Sequence, residues 1–267
     1  PNTLSLVTPR YHPMVVPFPP VAPGEPLVVS ATLYTTYRRC PAQALARTRG
    51  VYPPESRPSF RGNLAHRIFA RHLASGPVAP EELRQACHEE IGSGLNPKIG
   101  ALGLRPSDLD AIIREVGDLY QRFKRLPADG FRSAEVALEV EPVEGVTLRG
   151  VVDAVFDQPD GGARLVDWKT GALYEIEDQL AFYVLLWALE RGELPVVIEA
   201  FSVGTGERRP GDCSRAGVEE TARRVADLVT ALRAAFDAGD DLERRGGPWC
   251  AFCPLLDGCA EGSAATA

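Results

Sequence analysis

Between Leu148 and Gly171 the chain reads LRGVVDAVFDQPDGGARLVDWKTG, and three of its side chains have the types and spacing to share one piece of chemistry. Val151, Val152, Val155 and Phe156 favour a strand, Gln158 to Gly162 is dense in turn formers, and Leu165-Val166-Asp167 begins a return strand. Side chains alternate along a strand, so Asp167 and Lys169 project from one face. Asp153 reaches that face from the neighbouring strand. Two carboxylates completed by water suit a hard, octahedral Mg²⁺ or Mn²⁺. Lys169 is then placed to orient and help deprotonate the attacking water. The plainer alternative is an exposed cross-strand ion pair, for which Asp and Lys two residues apart are common.

A second group with chemical potential closes the chain, in PWCAFCPLLDGCAEG. Cys250, Cys253 and Cys259 follow a Cys-x2-Cys-x5-Cys spacing in a stretch without the pattern of a helix or strand. Three thiols so close imply either a zinc site or an iron-sulfur cluster, and both need a fourth ligand from elsewhere. Cys40, beside Pro41 at a predicted helix end, is the natural candidate. Cys87 reads as a structural thiol, and Cys213 matches no motif. With no secretory leader evident, a disulfide framework is not expected.

The elements that must position these groups follow from periodicity. Residues 1–29 hold eight of the 23 prolines and read as an extended arm. Ser30 caps a helix over Ala31 to Arg39, and Arg61 to Ala74 forms a second with an apolar face of Leu64, Ile68, Phe69 and Leu73. His66 lies one residue off that face, where a histidine is ordinarily a packed boundary residue, and His72 reads as solvent-facing. Another helix covers Pro80 to Ile91. Ser107 and Asp110 suggest a capping box for an amphipathic helix to about Leu126. At Ala134 the period changes to two, and AEVALEVEP is a strand carrying Glu135, Glu139 and Glu141 on one face. Glu177 to Arg191 is an apolar helix with Gln179 and Tyr183 at i, i+4. Pro195 to Val203 is a buried strand, and Val218 to Ala238 a last long helix.

Composition bounds the function. At 267 residues and 45% hydrophobic content the chain can bury a full core. No apolar run reaches the roughly 18 residues that span a bilayer, so a soluble, cytoplasmic protein is expected. The net charge of -7 is unevenly spread: residues 1–133 carry 17 Lys and Arg against 11 Asp and Glu, and residues 134–267 carry 12 against 25. A basic front half can hold phosphates beside acidic metal ligands, so the acidic total does not exclude DNA.

The order RRCP at Cys40, Gly62-xxx-His66, Gly150-xx-Asp153, Asp167-x-Lys169-Thr-Gly, Gln179-xxx-Tyr183 and the three terminal cysteines resembles the PD-(D/E)XK nucleases of the RecB-like group. It is most similar to their iron-staple branch, which includes CRISPR-associated adaptation nucleases and AddB-type repair nucleases. The resemblance runs from about Ser30 to Cys259. It implies an α/β, restriction-endonuclease-like central mixed sheet flanked by helices, in a single domain over 30–259. Within that domain it places a helical insertion over about 80–127, a catalytic core over about 134–205 and an iron-sulfur segment over 248–259, with 260–267 as a tail. The insertion could cover the groove to form a tunnel for single-stranded DNA.

The resemblance further implies that His66, Asp153, Asp167 and the Trp168 carbonyl hold Mg²⁺ or Mn²⁺, with Lys169 beside the attacking water and Gln179 and Tyr183 lining the groove. Cys40, Cys250, Cys253 and Cys259 would hold a structural [4Fe-4S] cluster. The implied activity is metal-dependent hydrolysis of DNA, as an exonuclease on ends or single strands in repair, recombination or CRISPR adaptation, with a helicase or adaptation proteins as partners. Two other readings compete: a nuclease-like DNA-binding or assembly factor, and a zinc-stapled interaction protein without catalysis.

Overall fold

A computed structural model describes residues 14–267. Most of the proline-rich arm expected over 1–29 therefore lies outside the described residues or, over 14–26, runs without regular structure. Its end differs from a surface arm. Leu27–Ser30 forms strand β1, with Val29 fully buried, because LVVS offers a β-branched, apolar run to a sheet.

The chain continues through α1 (Ala31–Arg39), α2 (Pro41–Thr48), α3 (Arg57–Ser75), α4 (Leu83–Gly92), α5 (Asn96–Leu102) and α6 (Pro106–Phe123). Strands β2 (Phe131–Val143), β3 (Val146–Asp157) and β4 (Ala163–Lys169) follow as a meander. Then come α7 (Glu177–Arg191), β5 (Val197–Ser202), β6 (Arg208–Pro210), α8 (Arg215–Ala238), a 3-10 turn over Pro248–Phe252 and α9 (Ala260–Thr266). No described helix is long and apolar enough to cross a membrane.

Local chemistry sets the boundaries. The Ser30 hydroxyl accepts the Leu33 N–H at 3.1 Å, the cap expected for α1. In α6 the start is two residues earlier than expected: Arg105 is the cap and the Asp108 carboxylate accepts its N–H at 3.1 Å. Pro106 explains the shift, since proline is favoured at the first helical position, where no N–H is needed. The helix stops at Phe123 rather than near Leu126, because Pro127 disfavours helical backbone in the residue before it. The β3–β4 turn closes through Gln158 N–H to the Gly162 carbonyl at 3.1 Å, with φ of 92° and 82° at Gly161 and Gly162 that side chains other than hydrogen resist.

The sheet is mixed: β1 and β3 are parallel, β3 and β4 antiparallel, β4 and β5 parallel, β5 and β6 antiparallel, and β2 pairs antiparallel with the other edge of β3. On the edge of β3 away from β2, β1 pairs with Val146 to Arg149 and β4 pairs with Ala154 to Asp157. Residues 150–153 between them have no strand partner on that edge, so the sheet forks there.

Two cores cover the two faces. Helices α1, α7 and α8 bury Tyr34, Phe182, Leu186 and Val229 against Leu148 and Leu165. Helices α3, α4 and α6 bury Phe69, Ile112 and Tyr120 against Phe156, Trp168 and Phe201. His72 belongs to this second layer rather than to solvent: its Nδ1 is 2.8 Å from the Tyr120 hydroxyl and its ring meets Phe123 edge-on at 5.5 Å. The reason is helical geometry, since His72 lies three residues past Phe69 and shares its face.

A candidate metal centre at the fork of the sheet

Asp153 sits where the β3–β4 ladder stops. Continued by one step, the pairing of Ala154 with Val166 would set Asp153 opposite Asp167. Instead the Asp153 side chain replaces the ladder, its Oδ2 accepting the Trp168 N–H at 2.6 Å. Its other oxygen, Oδ1, is 3.1 Å from His66 Nδ1, which α3 brings across the sheet. An aromatic chain fixes that approach: Phe69 of α3 stacks on Phe123 at 4.1 Å, and Phe123 meets the Trp168 ring edge-on at 5.2 Å. The strand that carries Asp167 is thus packed against the helix that carries His66.

On the opposite side of β3, the uniform register from Ala134–Ala154 to Val136–Val152 places Glu135 directly across from Asp153. Its backbone has φ of 50°, a left-handed conformation unusual for a side chain larger than hydrogen. Carboxylates directly opposite each other destabilise a strand pair. Here both the strain and the repulsion occur at one place, and a ligand atom from each of His66, Glu135 and Asp153 lies within 4.8 Å of the others. Glu135 is the residue that the sequence reading missed. Counting back along β2 from the Glu144-Gly145 turn would set it against Ala154 instead, because an irregularity between Val140 and Val143 shifts the register by one residue. Glu141, grouped with it by alternation, turns away and accepts the Gly145 N–H at 2.7 Å.

Asp167 lies deeper. It is 3% exposed, and Gln179 Nε2 donates to its Oδ1 at 3.0 Å. The same amide nitrogen donates to the Tyr183 hydroxyl at 3.0 Å, and Gln179 Oε1 accepts from Lys169 Nζ at 3.0 Å. Lys169 Nζ is also 2.7 Å from Asp167 Oδ2, as a charge contact off the hydrogen-bonding direction, so this enclosed oxygen receives no hydrogen bond. Helix α7 can place Gln179 and Tyr183 here because β3 is bare at Gly150, where a Cβ would stand 2.9 Å from both the Tyr183 ring and Leu186.

The electrostatics fit a crowded acidic site. Burial pushes the Asp167 carboxyl well above the ordinary carboxylate range, against the pull of Lys169. Glu135, although exposed at the rim, is raised by desolvation of its carboxyl first and by Asp153 second. Burial opposes a proton on His66, but the charge and hydrogen bond of Asp153 outweigh it and the net shift is upward. Burial raises the Tyr183 hydroxyl, followed by Asp167, so it stays neutral and remains a donor. A buried oxygen without a donor, two opposed carboxylates and an adjacent imidazole form a hard donor set that fits a divalent cation.

The model of the PD-(D/E)XK nuclease superfamily matches residues 28–260. The chain belongs to the PD-(D/E)XK nuclease superfamily. Members of the superfamily are phosphodiester-cleaving nucleases that use divalent metals and act on DNA. The match begins within β1 and ends at the start of α9. No curated protein matches the chain. Among solved structures, the crystal structure of SSO0001 aligns at 15% identity over 87% of this chain and 85% of that one, with a TM-score of 0.41.

The four cysteines assigned to a cluster meet at the far end of α1. Cys40, between α1 and α2, lines one small cavity with Cys250, Cys253 and Cys259 from the chain's end, together with Arg244 and Arg245. The Arg245 N–H approaches Cys40 Sγ at 3.5 Å and the Gly262 N–H approaches Cys259 Sγ at 3.3 Å. Cys87 is buried within the second core, and Cys213 packs at the edge of the first.

Proposed function

We propose that this PD-(D/E)XK nuclease is an exonuclease of the RecB-like, iron-staple type, acting on DNA ends or single strands in repair, recombination or CRISPR adaptation. The observation that carries the catalytic reading is the meeting of Glu135, Asp153 and His66 beside the enclosed Asp167–Lys169 pair at the fork of the sheet.

His66, Glu135, Asp153 and Asp167 would hold Mg²⁺ or Mn²⁺. The Trp168 carbonyl is a further ligand: its N–H points to Asp153, and the N–H and C=O of one strand residue face the same side. The bound cation supplies Lewis acidity for activating water and neutralising charge on the phosphate. Lys169 is the group that orients that water and relays its proton. It is held by its hydrogen bond to Gln179 and its charge contact with Asp167, and its ammonium keeps further donors for water or phosphate. Gln179 fixes Lys169, Asp167 and Tyr183 relative to one another, so the catalytic groups need little rearrangement at the moment of reaction. Tyr183 lines the groove with a neutral hydroxyl.

The four cysteines would hold a [4Fe-4S] cluster. Tetrahedral thiolates about 2.3 Å from a zinc ion stand about 3.8 Å apart. Among the described residues no three cysteine sulfurs come within 4.8 Å of one another, although all four line one cavity, and a cubane has the larger footprint. Arg244 and Arg245 and the two N–H groups at sulfur suit its negative charge.

The test of the exonuclease reading compares linear and covalently closed circular single-stranded DNA in Mn²⁺. Degradation of the linear form alone is expected, and equal loss of the circle would replace the exonuclease by an endonuclease. Purified protein should be brown and contain iron and acid-labile sulfide; a colourless protein carrying zinc would remove the cluster.

A further inference from the structure

The fork that exposes Asp153 also opens a groove that the metal centre does not use. A cavity of about 330 Å³ lies over Gly150 and Val151, bordered by Tyr183, Thr32, Ser30 and Arg149, with Glu139 directly across the β2–β3 pair from Arg149. A second cavity of about 400 Å³ begins at the same Ser30 and Arg149 and extends to Arg47, Thr48 and Tyr52. The two cavities thus adjoin at Ser30 and Arg149, and together they extend from Tyr183 to the loop after α2. Arg149 is four residues before Asp153 on β3, about 13 Å away along the strand.

Arg38, Arg39, Arg208 and Arg209 all pair with carboxylates. Among the described residues neither Arg47 nor Arg149 forms an ion pair, although Glu139 lies across the strand pair from Arg149. Arg47 instead lies over the ring of Tyr52, 5.2 Å from its centroid. Tyr52 is 61% exposed, and Val28 beside it is 43% exposed. Two guanidinium groups outside ion pairs and an exposed aromatic ring, along adjoining cavities that begin at Tyr183, suit the phosphates and a base of one strand. A duplex would not supply the free base face that Tyr52 needs.

We propose that this groove binds single-stranded nucleic acid, with phosphates on Arg149 and Arg47 and an unstacked base on Tyr52, leading the strand to or from the metal centre. The proposal rests on the nuclease reading and adds to it the strandedness of the substrate and the residues that guide it.

The test measures fluorescence polarisation of the full chain in chelator, with labelled oligothymidylate, oligouridylate and a blunt duplex of equal length. The Arg47→Ala/Arg149→Ala double variant should bind single strands about tenfold more weakly. Its log affinity should also fall less steeply with log salt, by about 1.4, at about 0.7 for each phosphate that is no longer neutralised. Tyr52→Ala should lose fivefold or more, Tyr52→Phe should bind like the wild type, and neither should alter duplex binding. Tighter binding of both the thymidylate and the uridylate than of the duplex supports the groove. Unchanged affinity and salt slope in the double variant would overturn the proposal, as would a Tyr52→Phe as weak as Tyr52→Ala, or equal losses on duplex. If the wild type degrades DNA in Mn²⁺ while the variants bind normally, the groove alone is wrong. If the wild type neither binds nor degrades nucleic acid, the nuclease reading is wrong with it.

Discussion

Glu135 shows most directly how the chain holds a site that its own stability disfavours. Its carboxylate opposes Asp153 across the β2–β3 pair and its backbone is left-handed. Removing the charge should therefore stabilise the metal-free fold while weakening the metal site. Glu135→Gln is expected to gain about 0.5–1 kcal/mol in chelator by thermal melting and to need roughly 10- to 100-fold more Mn²⁺ for half-maximal cleavage. A variant that loses stability and keeps its metal response would place Glu135 outside the centre. Asp153, Asp167 and Lys169 were legible in the sequence because a two-residue period and a turn put them on one hairpin. Glu135 was not, because alternation grouped it with Glu139 and Glu141 and only the register across β3 separates them. A different residue-scale effect concerns buried acids. Burial raises the Tyr34 hydroxyl to about 12 and the Cys87 thiol to about 11, against ordinary values of 10.0 and 9.0. Between those values the unfolded chain has lost protons that the folded one keeps, so stability is complete below about pH 9 and falls as pH rises towards 12. Denaturant midpoints should drop across that range, and Tyr34→Phe with Cys87→Ala should flatten the decline.

At the scale of elements, the fork in the sheet depends on β1, and β1 depends on what holds its approach. Arg233 of α8 is 5% exposed and has no carboxylate partner. It donates instead to the carbonyls of Ala22, Glu25 at 3.3 Å and Gly145 at 3.0 Å, which join the segment before β1 to the β2–β3 turn. Arg233→Met keeps the length and removes these three charge-assisted hydrogen bonds. It should cost about 2–4 kcal/mol in denaturant unfolding, whereas a loss below 0.5 kcal/mol would show that water satisfies those carbonyls equally well. Helices α1, α7 and α8, the hairpin and β5 were legible from period and caps. Strand β1 was obscured by the prolines before it. Helices α2, α5 and α9 and strand β6 were too short to show a period: α5 spans seven residues and β6 three.

Over the whole molecule, the first third of the chain meets later segments at two places. His66 and the hairpin share the catalytic end, and Cys40 meets Cys250, Cys253 and Cys259 at the other. The sequence could pair these by type, but only the fold shows that α1 runs between them, from the Ser30 cap beside the groove to Cys40 beside the cavity. A cluster there would join residues about 200 apart in sequence and contribute to folding rather than to hydrolysis. Cys250→Ala is therefore expected to lower the melting temperature and the soluble yield while the folded fraction keeps its turnover per molecule; lost turnover at an unchanged melting temperature would contradict a structural role. The central claim is that the fork of the sheet is a divalent-metal nuclease centre. Its most direct test is Mn²⁺-dependent degradation of end-labelled single-stranded and duplex DNA by the wild type, Asp167→Ala and Lys169→Ala, with folding verified by thermal melting. The account predicts degradation by the wild type that is abolished by chelator and lost in both variants while they remain folded. Degradation that survives both substitutions would place the active site elsewhere.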